Sequence, residues 1–463
     1  MNSNKNLHFE ISERKLLLRF FDLFFVFVCL ALVSNITHFD YFKISTDNFY
    51  WTFALTLYIT FFGTVFELYD LQTASNQFET VRSIFLTTGF VVIFYLLTPY
   101  YTPALPNNRF QILFFTLSIL FALSFWRLIY VKFLASHRFS KKVILICDKE
   151  QLDELISSME EVDPHYYISA YVNTDLSASL KTTHKIPRIT SDALMDFIRA
   201  EKISEVVVAS QKKEAITIEL YNQLIYLLEN GVPIREFTQV YEEMTYRIPV
   251  HYVERDFYRY FPFSRSNQNK LYKTTARILD ITISIIGLLV GVLLLPVVVI
   301  GNAVSNKGPL FYKQERVGLN GAIFEIYKFR SMVTDAEANG AVFAVKNDNR
   351  VTPFGRFLRK TRIDEFPQFI NILKGEMAVI GPRPERPFFV KEISEIMPFY
   401  ETRHVIKPGL TGWAQVNYSY GESIDESLIK LQYDLFYIKH RSLMLDINII
   451  IKTISTVLFY RGH

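Results

Sequence analysis

Cysteine is nearly absent: only Cys29 and Cys147 occur in 463 residues, one inside an apolar run and one inside a strand-like run. Two such residues offer neither a disulfide framework nor a thiolate metal site. A large excess of one charge is also missing. Fifty Lys and Arg stand against 46 Asp and Glu, a formal net charge of +4, and no basic helix with interleaved stacking residues occurs, so nucleic acid is not an expected partner. No small-residue cleavage site follows the first apolar run, which is as long as a full span, so a cleaved signal peptide is not expected. Glycines are lacking at 148–151, the turn after the first strand-like run, and this excludes the G-x-G-x-x-G turn that lets a backbone approach pyrophosphate.

Apolar residues are abundant: half the chain is hydrophobic and 16% aromatic, too apolar for an ordinary soluble enzyme. Runs at 16–36, 50–69, 84–101 and 111–134 each approach the ~20 residues needed to cross a bilayer core. Lys5, Arg14, Lys15 and Arg19 precede the first run, and Arg127, Lys132, Arg138, Lys141 and Lys142 close the fourth, whereas the intervening outer loops carry only Lys43 and Arg109. Both ends of a four-span bundle over 1–138 are therefore expected on the cytoplasmic side.

From Lys141 short β-branched runs alternate with helical ones. KKVILICD, YYISAYVN, EVVVAS and VPIREF read as strands, and stretches near 150–160, 192–201 and 216–229 as helices. This predicts a Rossmann-like parallel α/β domain over 139–262 with a scaffolding role. A polar linker at 263–270 leads to a last domain, 270–463, that opens on a fifth apolar segment, 281–304. Basic residues on both flanks, including Lys273, Arg277, Lys313 and Arg316, and Pro296 within it predict a helix, about 277–304, that breaks at Pro296 and re-enters instead of spanning.

The chemistry concentrates beyond this segment. Asp364 and Glu365 form an acid pair amid Arg356, Arg359, Lys360 and Arg362, followed by a Gly-Pro-Arg-Pro turn at 381–384. Arginine forks bind phosphoryl oxygens, and a carboxylate can hold a divalent metal or attack phosphorus. Phe366, Phe369, Ile370 and Leu373, spaced i, i+3, i+4 and i+7, predict an apolar helix face lying in the membrane interface under the acid pair. The last helix, about 442–459, carries Asp446, Asn448 and Lys452 and is expected at the interface too. Gly409 and Gly412 read as bracketing a tight turn, with Trp413 and Gln415 in packing roles.

The motifs follow in order: GPLFYKQERVGLNG at 308–321, YKFRSM at 327–332, RKTRIDEFPQ, KGEMAVIGPRP at 374–384 and KPGLTGWAQV at 407–416. The series resembles the bacterial sugar transferase family, the monotopic polyprenyl-phosphate phosphoglycosyl transferases, over about 270–463, and the front half resembles the family's long form. That resemblance implies transfer of a hexose 1-phosphate, glucose or galactose being expected, from a UDP-sugar to undecaprenyl phosphate with release of UMP, in exopolysaccharide, capsule or O-antigen biosynthesis. It implies Asp364 as nucleophile of a covalent phosphosugar intermediate, Glu365 as ligand of Mg²⁺, Arg359 on the phosphoryl group and Arg383 near the nucleotide. Lys328 and Arg330 are further phosphate or lipid-headgroup candidates.

Expected partners are the UDP-sugar, undecaprenyl phosphate, the lipid bilayer of the bacterial inner membrane and a second copy in a homodimer. Two departures from the family pattern are Leu295, where a serine commonly precedes the proline, and Tyr418, where many relatives have glycine. A catalytically silent scaffold and a membrane-anchored nucleotide-sugar dehydratase are the alternative readings. The intact acid pair argues against the first and the missing glycine-rich turn against the second.

Overall fold

The computed structural model describes residues 11–36, 39, 41–42, 48–69, 77–130, 141–147, 156, 166–173, 186–209, 217–250, 269–306, 308–334, 336, 348–418 and 424–458. Two compact units emerge, Met1–Thr245 and Tyr246–His463.

The first unit opens with α1 (Ile11–Ile36), α2 (Phe49–Val65), α3 (Gln77–Leu97) and α4 (Phe110–Ile129). Among the described residues, four helices are long and apolar enough to cross a membrane: Glu13–Ile36, Glu79–Leu97, Phe110–Ile129 and Lys270–Asn306. The 17-residue α2 is shorter, and sits at the lower limit for a span. The expected second span ends early because the chain reverses at Glu67, whose φ is +58°. Tyr69 folds back on the helix end, and a Cβ on Gly63 would stand 2.7 Å from its ring. Inside the bundle Leu18, Leu55, Tyr95, Phe115 and Leu123 are buried, while Phe20, Phe24, Phe53 and Phe121 face outward. A buried ion pair of 2.7 Å joins Arg127 on α4 to Asp22 on α1.

The α/β part carries β1 (Lys141–Cys147), β2 (Tyr166–Asn173), β3 (Arg188–Ile189), α5 (Leu194–Glu201), β4 (Glu205–Val208), α6 (Ile218–Glu229), β5 (Ile234–Glu236) and α7 (Phe237–Thr245). The strands lie in the order β3-β2-β1-β4-β5, and every pairing is parallel. β1, at the centre, is buried from Val143 through Cys147, as a strand covered on both faces must be. Thr217 caps α6, accepting a hydrogen bond from the Leu220 amide. The expected helix at 150–160, the turn at 148–151 and most of the linker at 263–270 lie outside the described residues.

The second unit is built on α8 (Lys270–Gly301), capped by Asn269, whose side chain accepts from the Leu271 and Tyr272 amides. Pro296 lies inside this one continuous helix, so the expected break there does not end it. The missing donor forfeits one hydrogen bond of the ladder, and the helix instead runs out through a π turn at Asn302–Asn306. A hairpin of β6 (Phe311–Val317) and β7 (Ile323–Phe329) follows. Then come α9 (Pro353–Lys360), a 3₁₀ turn at Ile363–Glu365, α10 (Gln368–Lys374), β8 (Ala378–Ile380), α11 (Pro387–Ile396), β9 (Gly409–Thr411), α12 (Trp413–Asn417), α13 (Ile424–His440) and α14 (Leu443–Leu458).

Segment 246–250, which the sequence division leaves with the α/β domain, packs in this second unit. Ile248 and Val250 join its core, the Ile248 amide donates to the Gln432 carbonyl, and Trp413 Nε1 donates to the Tyr246 carbonyl at 3.1 Å. Gly409 and Gly412 do not bracket a tight turn. Gly409 opens a strand that pairs parallel with β8, and Cβ atoms at Gly409 or Gly412 would stand 2.1 and 2.2 Å from the Gly381 backbone. Those glycines let two backbones touch beneath the Gly-Pro-Arg-Pro turn.

Candidate active site

Three elements deliver the acid pair. Thr352 caps α9, accepting from the Gly355 amide, with Pro353 in the first turn. Arg362 then turns the chain with φ of +58°, and the following 3₁₀ turn presents Asp364 and Glu365, both buried. Phe366 and Phe369 lock this turn to the long helix: they are the side chains that a Cβ on Gly291 or Gly287 would meet. The apolar face expected to lie in the interface under the acid pair is thus split. Its two phenylalanines pack on α8, where glycines leave room, and Ile370 remains exposed.

A cavity of about 460 Å³ opens over the pair, lined by nine Arg and Lys side chains and three carboxylates. Every predicted site residue reaches it: Lys328, Arg330, Arg359, Asp364, Glu365 and Arg383. Glu365 Oε1 lies 3.4 Å from Lys328 Nζ, 3.6 Å from Arg362 Nη1 and 3.3 Å from Arg383 Nη2. Arg359 donates from Nε to Ser331 Oγ at 2.9 Å. Asp364 Oδ1 is buried and accepts no hydrogen bond.

The two acids are driven apart by these surroundings. Burial, reinforced by the charge of Glu365, pushes Asp364 up to about 6 against the attraction of Lys328, Arg359 and Arg362. Burial also acts on Glu365, but Lys328, Arg383 and Arg362 outweigh it and hold that carboxyl well below the usual range. Burial pushes Lys328 down, opposed by Glu365. One carboxylate is a permanently charged anchor, and the other is a desolvated anion with a bare oxygen.

Among the described residues no group of three or more His, Cys, Asp and Glu converges on a metal position. The donor chemistry nevertheless suits Mg²⁺, which is typically bound by one or two carboxylates together with substrate phosphates. An adjacent carboxylate pair with one orphaned oxygen meets that description.

Sequence reasoning missed other members of the site. Arg403, 4% exposed, pairs with Asp434 at 2.7 Å and donates to the Arg383 carbonyl at 3.0 Å, fixing the turn that carries Arg383. Arg316 donates to the Pro384 carbonyl, and Lys430 of α13 lines the cavity. Arg316 stands in one of the singled-out motifs, but nothing local marks Arg403, Asp434 or Lys430.

The chain matches the family model for bacterial sugar transferase over residues 271–460 and that for a CoA-binding domain over 64–225. Over 256 residues it is 38% identical to the UDP-N-acetylgalactosamine-undecaprenyl-phosphate N-acetylgalactosaminephosphotransferase of Aeromonas hydrophila, covering 55% of this chain and 59% of that one. It is 44% identical over 164 residues to the UDP-glucose:undecaprenyl-phosphate glucose-1-phosphate transferase of Xanthomonas campestris pv. campestris, covering 35% and 34%. The matched stretches thus span about a third to three fifths of those two relatives. An uncharacterized sugar transferase, EpsL, of Bacillus subtilis (strain 168) is 37% identical over 158 residues, which cover 33% of this chain and 72% of that shorter protein. With four of its five motifs lining one cavity and a relative of this kind covered over most of its length, the chain belongs to the bacterial sugar transferase family.

Proposed function

We propose that the protein transfers a hexose 1-phosphate, glucose or galactose being the expected sugar, from a UDP-sugar to undecaprenyl phosphate, initiating a surface polysaccharide. The observation that carries this reading is the buried, unpartnered Asp364 oxygen in a cationic cavity. An Asp364 oxygen attacks the phosphorus next to the sugar. The bond to the bridging oxygen of UMP breaks, and UMP leaves with the electron pair. The phosphate oxygen of undecaprenyl phosphate then attacks the same phosphorus, the bond to Asp364 breaks, and the carboxylate is regenerated.

Repulsion between Asp364 and a diphosphate is the main obstacle, and Lys328, Arg359, Arg362 and Arg383 offset it. Glu365, beside Asp364, would hold Mg²⁺, which when bound neutralises charge on the diphosphate. A covalent intermediate is tested by intact mass: donor sugar alone adds a phosphosugar to the native protein and nothing to Asp364→Asn. Normal turnover by that variant would refute the assignment.

The proposed organisation is a bundle at 1–138, an α/β scaffold from 139 to Thr245 and a catalytic unit from Tyr246 onward, with both bundle ends and the site on the cytoplasmic face of the inner membrane. Re-entry of the long helix is supported by its contacts along its length. Arg277 donates to the Ile372 and Leu373 carbonyls and Asp280 accepts from the Val379 amide. Asn302 donates to Gly308 and Asn306 to Arg330. Residues 277 and 302 would be about 37 Å apart on a straight helix, and Phe366, the residue that follows the acid pair, packs alongside the middle, against Gly291.

A helix spanning the bilayer would drag this charged cavity to the hydrocarbon core, where charges are expensive. With both ends at the interface and its middle inserted, it keeps Leu289, Val292, Leu293 and Ile300 in lipid. α14 fits the same surface. Leu443, Met444, Ile447, Ile454 and Val457 are exposed, whereas Asp446 accepts from Tyr272 and Tyr437 and Lys452 donates to Asn417.

A further inference from the structure

The short helix behind the acid pair, α10, also grips the strand that carries Lys328. Asn371, in the middle of that helix, is fully buried. Its Oδ1 accepts from the Tyr327 amide at 3.1 Å, and its Nδ2 donates to the Glu325 carbonyl and to Glu376 Oε2, each at 2.7 Å. Both donors and the oxygen of the side chain are thus used, and the partners fix which way the amide faces.

The two backbone groups it takes belong to the outer side of β7. Among the described residues the β6–β7 sheet has two strands. The Arg330 amide donates to the Leu310 carbonyl across it, and the Gly318 amide donates to the Ala322 carbonyl. With those pairs bonded, the alternation along an antiparallel ladder turns the Glu325 carbonyl and the Tyr327 amide away from β6. Asn371 satisfies them as a third strand would, and so fixes the register of β7 against α10. The next residue along β7 is Lys328, whose Nζ lies 3.4 Å from Glu365 Oε1, and the turn bearing Glu365 leads directly into α10. The backbone of Asn371 is held as well, its carbonyl accepting from the Glu376 and Met377 amides at 3.1 and 3.4 Å.

We infer that Asn371 is a positioning residue for the transfer: by holding β7 to the helix behind the acid pair, it sets where the Lys328 ammonium stands relative to Glu365 and to a diphosphate in the cavity. The inference rests on the transfer reading above. It adds a residue that lies outside the cavity lining and acts on the reaction through Lys328. Without its hydrogen bonds the strand is free to shift, and a misplacement of about 1 Å costs on the order of a hundredfold in rate.

The test is a double-mutant cycle on the full chain in phosphatidylcholine nanodiscs with Mg²⁺ present, combining Asn371→Ala with Lys328→Met. UDP affinity is read first, because it stays measurable when turnover does not, and transfer of labelled hexose phosphate to undecaprenyl phosphate second. Asn371→Ala alone lowers UDP affinity about tenfold, the scale of one charged hydrogen bond, and the transfer rate by about tenfold to a hundredfold. In the Lys328→Met background the same substitution changes UDP affinity less than about twofold, because the group it acts through is gone. Should Asn371→Ala fail to fold, Asn371→Ser carries the same requirement, and failure of both makes the residue purely structural and overturns the inference. Unchanged UDP affinity in the single variant also overturns it, as does an equal loss in both backgrounds, the result that a general loosening of the fold would give. A native protein whose UDP affinity obeys the cycle but which transfers no sugar refutes the transfer reading and leaves the placement of Lys328 by Asn371 standing.

Discussion

Replacing Asp364 by Asn should stabilise the protein while abolishing transfer. Burial and Glu365 raise this carboxyl from 3.8 to about 6, so the folded state holds the proton more tightly than the unfolded chain does. Below pH ~4 both states are protonated and the group contributes no penalty. As pH rises from about 4 to 6 the unfolded chain ionises first, stability falls, and above pH 6 the full penalty remains. A rise of roughly two pH units, each worth about 1.4 kcal/mol, sets the penalty at about 3 kcal/mol. Asparagine, of nearly the same size, removes it. For a unit of 150–250 residues, 1 kcal/mol moves the melting midpoint by about 2–4 °C, so the gain at pH 7 is at most about 6–12 °C. The assay is thermal unfolding in detergent with a chelator present, at pH 7 and pH 4, for native protein and Asp364→Asn. A gain at pH 7 that vanishes at pH 4 is the expected result. Equal melting at pH 7, or a gain of the same size at both pH values, refutes the account of a strained carboxylate.

Glu365→Gln should have the opposite sign, destabilising at pH 7, because it leaves Lys328, Arg362 and Arg383 without their shared anion; in UMP-release titrations it should also weaken the response to Mg²⁺ more than it weakens nucleotide binding. UMP release by the native protein should fall as pH drops through about 6, following protonation of Asp364. A chain beginning at Tyr246 should fold and keep some activity in nanodiscs, whereas one beginning at Gln268 should lose stability with Ile248 and Val250, read by melting and by UMP release. Gly355→Ala should lower both stability and activity, since a Cβ there would stand 1.8 Å from the Ser331 carbonyl oxygen, and Ser331 orients Arg359. Cysteines replacing Lys273 and Lys313, in a background lacking Cys29 and Cys147, should both resist a membrane-impermeant thiol reagent until cells are lysed; labelling of the Lys313 position in intact cells refutes re-entry.

The sequence by itself determined the things that depend on local pattern. Long apolar runs announced the bundle helices and the long helix, because hydrocarbon length and backbone hydrogen bonding leave few alternatives. Strands β1, β2, β4 and β5 stood out as β-branched runs within a residue or two of their observed limits. The acid pair and its arginines were legible because their residue types serve phosphate chemistry in one short stretch.

Tertiary structure alone decided which oxygen is bare and which carboxylate is anchored. Asp364 and Glu365 are neighbours in sequence, and only burial and the direction of Lys328 and Arg383 separate their charges. It also decided that Phe366 and Phe369 pack on glycines of the long helix, since periodicity identifies an apolar face but not what covers it. Arg403 and Asp434, 31 positions apart, hold Arg383 in place through a contact that no local pattern encodes, because sequence periodicity reports the neighbours along one element and a cavity is assembled from several.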